Sequence, residues 1–146
     1  MSYPTNPGSA TAPPARDAAF PSQPLENHTA RFTADYNLSG AVITVEGELD
    51  AANAGELAEF VQRCAAHCKS VIVDLSGVKF FGTAGFSALH TINVRCAGAH
   101  VRWVVVPSHA VSRVLSICDP DNALPVAETV ADANDLQPRQ LFQLIP

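Results

Sequence analysis

The sequence predicts a single α/β domain, in which a mixed β-sheet is flanked by helices in the order β-β-α-β-α-β-α-β-α. Three observations lead to this prediction. The β-branched runs at residues 71–75 and 101–106 are typical of strands buried on both faces. Segments with apolar residues at helical spacing alternate with these runs. The 146 residues, of which 47% are apolar, suit one domain with a sizeable core and a tail.

The two ends of the chain are predicted to lie outside this domain. Residues 1–30 contain six prolines and few large apolar side chains. Burying so few apolar side chains cannot offset the conformational entropy that the chain would lose on becoming ordered, so this stretch is expected to be a disordered tail. The domain is predicted to cover residues 31–137, and a C-terminal extension covers residues 138–146.

The domain is predicted to open on a hairpin. Residues 32–38 are expected to form an edge strand, and Asn37 and Gly40 flank the turn to a second strand at residues 41–50. Apolar and acidic side chains alternate along the second strand, which is typical of a strand with one solvated face. The apolar face comprises Ile43, Val45 and Leu49, and the solvated face comprises Glu46 and Glu48.

A helix and the central strand are predicted next. Asp50 or Asn53 can cap the helix, and Asn53 with Glu56 has the spacing of a capping box. The apolar stripe of the helix follows the i, i+3, i+4 pattern. It comprises Leu57, Phe60, Val61, Cys64 and Cys68. Residues 71–75 then form the buried strand.

A second helix is predicted after a turn rich in small residues, Gly82 to Gly85. Gly98 is its expected C-terminal stop. Its inward face comprises Phe86, Leu89, Ile92 and Cys96. Residues 101–106 form the next strand, which ends at Pro107.

The last predicted elements are a third helix, a short strand and a fourth helix. Ser108 is the expected cap of the third helix, and Asp119-Pro120 stops it. Its inner face comprises Val111, Val114, Leu115 and Cys118. Leu124 and Val126 indicate the short strand, and Thr129 is the candidate cap of a helix that runs through Leu136.

The sequence offers no motif for catalysis, and we expect no catalytic residue, no metal and no cofactor. Neither GxxxxGK[ST] nor GxGxxG occurs, and HExxH and paired CxxC motifs are also absent. The five histidines are dispersed. Asp74, at the end of a strand, is interpreted as an acceptor for backbone N–H groups of the following turn. Trp103 is interpreted as a core residue.

Charge and hydropathy exclude two further classes of partner. The net charge is −5, and no cluster of Lys and Arg is present, which argues against direct binding of nucleic acid. No apolar run approaches the ~18 residues that a membrane span needs. The N-terminus also lacks the pattern of a secretory signal, so a cytoplasmic protein with no membrane insertion is expected.

Cys64 and Cys68 are interpreted as buried core residues. With His67 between them they suggest a metal or redox site, but both lie on the apolar stripe of the first helix, where free cysteine acts as a small hydrophobe. A redox switch is the remaining alternative.

The start of the second helix is the candidate functional surface. Backbone N–H groups are unpaired at a helix N-terminus, and the helix dipole is positive there. The small residues Thr83, Ala84 and Gly85 leave this backbone approachable by a partner. A phosphate attached there would be tolerated by the fold and would add nearly two negative charges to the contact surface. Thr83 can also serve simply as the helix cap.

These segments resemble the STAS domain, which is named for sulphate transporters and anti-sigma factor antagonists. The STAS signature is a strand ending in Asp-Leu-Ser, an apolar-rich turn, and Asp-Ser-Ser-Gly-Leu opening a helix. Residues 74–76 match its first part, and residues 82–86 fall on its second. Residues 47–50, Gly-Glu-Leu-Asp, resemble the Gly-x-Leu-Asp strand end of the family. The resemblance covers about residues 31–137.

The resemblance implies a non-enzymatic binding module. Antagonists of this family bind an anti-sigma factor, often a GHKL-type serine kinase, and so free a sigma factor for transcription. The kinase switches the antagonist off by phosphorylating the serine directly before the helix glycine. Here that position is Ala84, the preceding residue is Thr83, and Gly82 replaces the acidic residue of the family.

Three alternatives follow from this departure. The protein is an antagonist that is not switched at the usual position, or Thr83 is the phosphoacceptor, or the chain belongs to another STAS branch. The Thr-Ala-Gly at this site resembles the STAS subunit of lipid-trafficking ABC transporters, in which the Thr contacts the ATPase. A sulphate-transporter tail is not expected, since no transmembrane region precedes the domain.

The predicted function is therefore an antagonist-like regulator that acts as a monomer by protein–protein contact. The expected partner-binding residues surround the start of the second helix and the turn beside it. They are Asp50, Asn53, Gly82, Thr83, Ala84, Gly85, Phe86 and Ser87.

Overall fold

The computed structural model describes residues 25–26, 29–38 and 40–134. Five strands form one sheet in the order β1-β2-β3-β4-β5. The strands are β1 (Leu25–Glu26), β2 (Ala30–Tyr36), β3 (Ala41–Leu49), β4 (Ser70–Phe81) and β5 (Arg102–Pro107). The helices are α1 (Ala54–Ala65), α2 (Thr83–Gly98) and α3 (His109–Cys118). β1, β2 and β3 pair antiparallel, and β3, β4 and β5 pair parallel. The predicted mixed α/β architecture is thus confirmed.

The main core lies between the sheet and the three helices. Ile43, Val45 and Leu49 are fully buried on one face of β3, as their alternation predicts. The α1 stripe is also buried as far as Cys64, and Cys68, which lies beyond the helix end, is half-buried. A smaller cluster covers the opposite face of the sheet, and it comprises Ile72, Val104, Val106, Ala127 and Ala133.

The N-terminal boundary of the sheet differs from the predicted boundary. Leu25–Glu26 and Ala30 lie in the stretch predicted as a tail, yet Leu25 pairs with Phe32 and Ala30 pairs with Gly47. The unpaired edge of β2 offers backbone partners to any extended segment beside it, which apolar content alone does not reveal. Residues 1–24 of the predicted tail and the extension at 138–146 lie outside the described residues.

The central strand is longer than the predicted residues 71–75, because residues 76–81, which correspond to the apolar-rich turn of the STAS signature, continue the strand. The small residues expected to form a turn before the second helix are instead its N-cap, Gly82, and its first turn. β4 runs from Ser70 to Phe81 and contains two β-bulges. The register with β3 shifts by one residue after Asp74 and again between Val78 and Phe80. Each extra residue reverses the face to which the following side chains point. Leu75, Val78 and Phe81 are therefore all buried, at a spacing of three, which matches neither regular strand nor helix.

The predicted helix caps have mixed outcomes. Ser108 caps α3 as expected, since its Oγ accepts the Val111 N–H at 3.2 Å. Thr129 Oγ1 likewise accepts the Asp132 N–H at 3.0 Å, and residues 130–134 are helical, whereas Leu136 lies outside the described residues. The capping box at Asn53 is wrong, since the Asn53 side chain makes no cap hydrogen bond.

The predicted last strand is reduced to one bridge, between Val126 and Val105. The Asp119 carboxylate accepts the N–H groups of Ala123 and Leu124 at 2.8 and 3.0 Å. These hydrogen bonds hold residues 119–124 in a loop, so the pairing beside β5 does not extend back over them.

Candidate functional site

The carboxyl ends of β3 and β4 bring the predicted site together. Leu49 pairs with Phe81 across the two parallel strands, and the Gly82 N–H donates to the Leu49 carbonyl oxygen at 3.0 Å. Asp50 directly follows β3, and α2 begins at Thr83. The turn after β3 and the first turn of α2 therefore lie side by side at one edge of the sheet, as in the sequence-based prediction.

The first turn of α2 has an exposed side and a packed side. Thr83 and Ser87 are exposed, one turn apart on the helix. Ala84 and Phe86 are half-buried and pack against the core, and Gly85 is buried. The residues able to contact a partner through their side chains are therefore Thr83 and Ser87.

Gly82, not Thr83, is the N-cap residue of α2. Gly82 has extended backbone angles of φ −89° and ψ 178°, and Thr83 is the first helical residue. No side chain caps α2, and its first turn contains no acidic residue. Capping is therefore not the role of Thr83, and the positive end of the helix dipole is not offset by a carboxylate in this turn.

Gly85 sets the position of α2 above β4. A Cβ built on Gly85 would lie 2.4 Å from Cε1 of the Phe81 ring, far inside van der Waals contact. Phe81 is itself buried in the core, so a shift of its ring away from such an atom would disturb the packing around it. The glycine thus allows the helix to begin directly on this ring, one residue after the strand ends.

Asn53, predicted to contact a partner, lies beneath the surface with 2% of its area exposed. Its Oδ1 accepts the Asp50 N–H at 3.0 Å. Its Nδ2 donates to Thr29 Oγ1 at 2.9 Å and to the Glu48 carbonyl oxygen at 2.8 Å. Asn53 therefore joins the start of β2 to the end of β3 and holds the turn that carries Asp50. The half-buried Asp50 itself accepts the Ala52 N–H at 2.9 Å.

The interpretations of Asp74 and Trp103 agree with the geometry. Asp74 Oδ1 accepts the Ser76 N–H at 3.0 Å and the Ser76 hydroxyl at 2.6 Å. Trp103 is buried, and its Nε1–H donates to Asn93 Oδ1 at 2.9 Å. Both residues are accounted for by these local structural contacts.

The cysteines behave as core residues. Cys64 and Cys96 are buried free thiols, and Cys68 and Cys118 are half-buried. Burial raises the pKa of the Cys64 thiol, with a smaller opposing contribution from its hydrogen bond with Tyr36. Burial also raises the pKa of Cys68, and it raises that of Cys96 to about 11. Since thiolates are the reactive form, these thiols are poorly reactive near neutral pH.

Sequence reasoning missed a groove beside this site, between the end of β4 and α3. The groove has a volume of about 300 Å³. It is lined by Lys79, Phe80, Phe81, Ala110, Arg113, Val114 and Ile117. One available signal was the position of Ile117 away from the inner face of α3, where a large apolar side chain has no core to enter.

A second, larger cleft lies on the polar side of the same sheet edge, with a volume of about 550 Å³. It is lined by Thr29, Glu46, Gly47, Glu48, Gly77 and Lys79. Within residues 25–26, 29–38 and 40–134, no three His, Cys, Asp or Glu side chains are grouped to hold a metal ion. Over the same residues, no helix is both long and apolar enough to cross a membrane.

Comparisons with known proteins place the chain in a family. A profile of the STAS domain matches residues 32–133. Osmosensory protein A of Mycobacterium tuberculosis is 34% identical over 115 residues, which are 71% of this chain and 73% of that protein. Anti-sigma-F factor antagonist RsfA of Mycobacterium tuberculosis is 30% identical over 115 residues, which are 75% of this chain and 88% of that protein.

A solved structure has the same fold. The crystal structure of an anti-sigma factor antagonist from Mycobacterium paratuberculosis matches with a TM-score of 0.68 at 23% identity. The match covers 77% of this chain and 97% of the other. By domain profile, by sequence relatives and by fold, the chain belongs to the STAS-domain family and resembles its anti-sigma factor antagonists.

Proposed function

We propose that the protein is an anti-sigma factor antagonist, which binds an anti-sigma factor and thereby frees a sigma factor for transcription. The observation that carries this proposal is the exposed start of α2, where Thr83 and Ser87 face solvent beside the turn that holds Asp50. Backbone N–H groups and small side chains make this helix start accessible to a partner. The relative named anti-sigma-F factor antagonist supports the choice of partner.

The protein works as a non-catalytic binding module in the cytoplasm, as a monomer. Its contact surface comprises Asp50, Gly82, Thr83, Ala84, Phe86 and Ser87, with the buried Asn53 and Gly85 as positioning residues below it. The burial of Asn53 and its three hydrogen bonds favour that division of roles.

Thr83 is the proposed phosphoacceptor, and a GHKL-type anti-sigma kinase is the proposed phosphate donor. Ala84 has no hydroxyl and is half-buried, whereas Thr83 is exposed on the first turn of α2. The γ-phosphoryl group of ATP would pass to Thr83 Oγ1, with loss of the hydroxyl proton and release of ADP. The phosphate dianion would sit favourably near the helix N-terminus, so the fold would persist while the contact surface gains negative charge.

The test is an affinity capture from the native cytoplasm with ATP present, with mass spectrometry of the bait and of the captured proteins. We expect recovery of an anti-sigma factor and a phosphate on Thr83. Thr83→Glu should reduce the captured amount about tenfold, because a carboxylate at this position opposes a partner built for a neutral side chain. Thr83→Ala should bind normally and remain unmodified, and circular dichroism should be unchanged in both variants.

Three further outcomes decide between the alternatives. Equal capture by Thr83→Glu and wild type would eliminate the electrostatic switch. Capture without modification of the bait would favour an antagonist that is not switched at this helix. Recovery of an ABC ATPase in place of an anti-sigma factor would refute the proposed partner and favour the transporter-subunit branch.

A further inference from the structure

We propose that the groove between the end of β4 and α3, here called the β4–α3 groove, is a second docking surface for the partner. Its occupant is an apolar segment of the anti-sigma factor flanked by carboxylates. The identity of the partner rests on the proposed function, whereas the chemistry of the occupant is argued from the groove itself.

The β4–α3 groove is lined by two exposed large apolar side chains. Phe80 on β4 is 52% exposed and Ile117 on α3 is 78% exposed, and both line the groove. Ala110 and Val114 form the floor, and both are half-buried against the main core. Large apolar side chains that line one concave surface are typical of an interaction site, whereas isolated ones need no explanation.

The β4 bulge explains why Lys79 and Phe80 are both exposed. In a regular strand, successive side chains point to opposite faces, and one of the two would enter the core. The register shift between Val78 and Phe80 inserts Lys79 as an extra residue, so that Val78 and Phe81 are buried and the pair between them faces outward. The backbone of β4 therefore places the aromatic side chain of Phe80 and the cation of Lys79 together along the groove.

The charge of the groove is opposite in sign to that of the chain. The protein has a net charge of −5, yet the ionisable side chains that line the groove are Lys79 and Arg113. Within the described part of the chain, neither of these side chains forms an ion pair or a side-chain hydrogen bond. Two unpaired cations beside apolar walls favour an occupant that supplies both apolar side chains and carboxylates.

The groove is continuous with the proposed contact surface at α2. A Cβ at Gly82 would lie 3.7 Å from Cε2 of the Phe80 ring, which is ordinary van der Waals contact. The aromatic rim of the groove thus adjoins the N-cap of α2. One partner surface can cover Thr83 and the groove together, which fits the ~800 Å² per partner that a standard interface buries.

The first test uses a defined probe and needs no native partner. The probe is a fluorescently labelled helical peptide, called the Glu peptide, in which positions i, i+3 and i+7 carry Leu or Phe and the flanking positions carry Glu. A second peptide, the Lys peptide, has Lys in place of each Glu. Fluorescence anisotropy should detect binding of the Glu peptide, which weakens as salt increases, and much weaker binding of the Lys peptide. Equal binding of both peptides would overturn the proposed chemistry.

Matched variants locate the binding site. Ile117→Ser should weaken the Glu peptide about tenfold, as expected for the loss of a central apolar anchor. Combined Lys79→Glu and Arg113→Glu should weaken it by a similar factor. Leu38→Ser and Lys69→Glu are the controls, since both residues are exposed but lie near the opposite end of β4, and they should bind as wild type. If the controls weaken binding as much as the groove variants do, the groove is not the site.

Two readouts separate this proposal from the proposed function. Amide NMR shifts on addition of the Glu peptide should be largest at Phe80, Arg113 and Ile117, whatever protein is captured from the cytoplasm. If an anti-sigma factor is captured equally by wild type and by Ile117→Ser, the groove proposal fails and the α2 proposal stands. If the peptide binds the groove but no anti-sigma factor is captured, the proposed function fails and the groove stands.

Discussion

Gly85 shows how one missing side chain positions the candidate site. The glycine lies on the Phe81 ring, and this contact allows α2 to begin one residue after β4. The requirement at this position is for space, since Gly85 is an ordinary helical residue of α2.

We expect Gly85→Ala to destabilise the protein. A Cβ 2.4 Å from the buried Phe81 ring is a severe overlap, so its cost should lie toward the upper end of the about 1–3 kcal/mol typical of overpacking and exceed the roughly 1 kcal/mol that alanine gains over glycine within a helix. Urea denaturation measures the free energy of unfolding. Gly55→Ala in α1 is the control. A Cβ at Gly55 meets nothing within 4 Å, so this substitution should stabilise the protein. Equal effects of the two substitutions would contradict the role assigned to the Phe81 contact.

The Cys96 thiol predicts how stability depends on pH. Burial raises its pKa from 9.0 to about 11, whereas the unfolded chain ionises this thiol at its ordinary value. The associated stability is complete below pH 9 and is lost as the pH rises toward 11. In urea titrations between pH 7 and pH 10.5, the free energy of unfolding should fall less steeply in Cys96→Ala than in wild type. Parallel pH profiles would show that this thiol does not titrate as described.

Helix α2 lacks the stabilising groups that usually occur at a helix start. Its N-cap is glycine, and its first turn contains no carboxylate. The positive end of the α2 dipole is therefore part of the proposed contact surface. A carboxylate at Gly82 would stabilise the helix but would change the charge that a partner meets there.

Gly82→Asp should therefore stabilise the helix while altering the surface. The backbone angles of Gly82 suit any residue, and a Cβ there meets only ordinary contacts. A capping carboxylate should raise the free energy of unfolding by about 1 kcal/mol. Thermal denaturation measures this gain, and Gly82→Ala, which cannot cap, is the control. A gain of the same size in Gly82→Ala would assign the effect to backbone entropy instead.

The helices and most strands could be predicted because their apolar residues follow regular spacing. The spacing of three between Leu75, Val78 and Phe81 fits no regular element, since it arises from bulges defined by the register with β3. Neighbouring strands are needed to specify that register. The extent of β4 could therefore not be predicted from its own residues.

The contact residues proposed for α2 come from the resemblance to the STAS signature, whereas the β4–α3 groove has no counterpart in the sequence-based prediction. Phe80 and Ile117 are far apart in sequence, so the position of Ile117 away from the inner face of α3 does not by itself indicate which residues lie beside it. Asn53 was placed in the contact surface because the resemblance puts its turn beside the start of α2. Its buried position depends also on the hydrogen bond to Thr29, which is distant in sequence and meets this turn only in the folded sheet.

Across the entire molecule, the two proposed contact surfaces lie at one edge of the sheet. The carboxyl ends of β3 and β4 carry Asp50, the start of α2 and the aromatic rim of the groove. The β2–β3 turn, with the exposed Leu38, precedes the amino end of β3 and thus lies at the opposite edge. Substitutions at that distant turn are therefore natural controls for every binding experiment described above.

The parallel placement of β4 also has a consequence for the order of folding. Only four residues of the chain, 37–40, separate β2 from β3, so their pairing closes a small loop. Twenty residues separate Leu49 from Ser70, and twenty more separate Phe81 from Arg102. Both pairings of β4 must close these longer loops, at a greater entropic cost. We expect the β2–β3 hairpin to form early and the edge that carries both contact surfaces to assemble late, so that a newly made chain becomes competent to bind only when its folding is nearly complete.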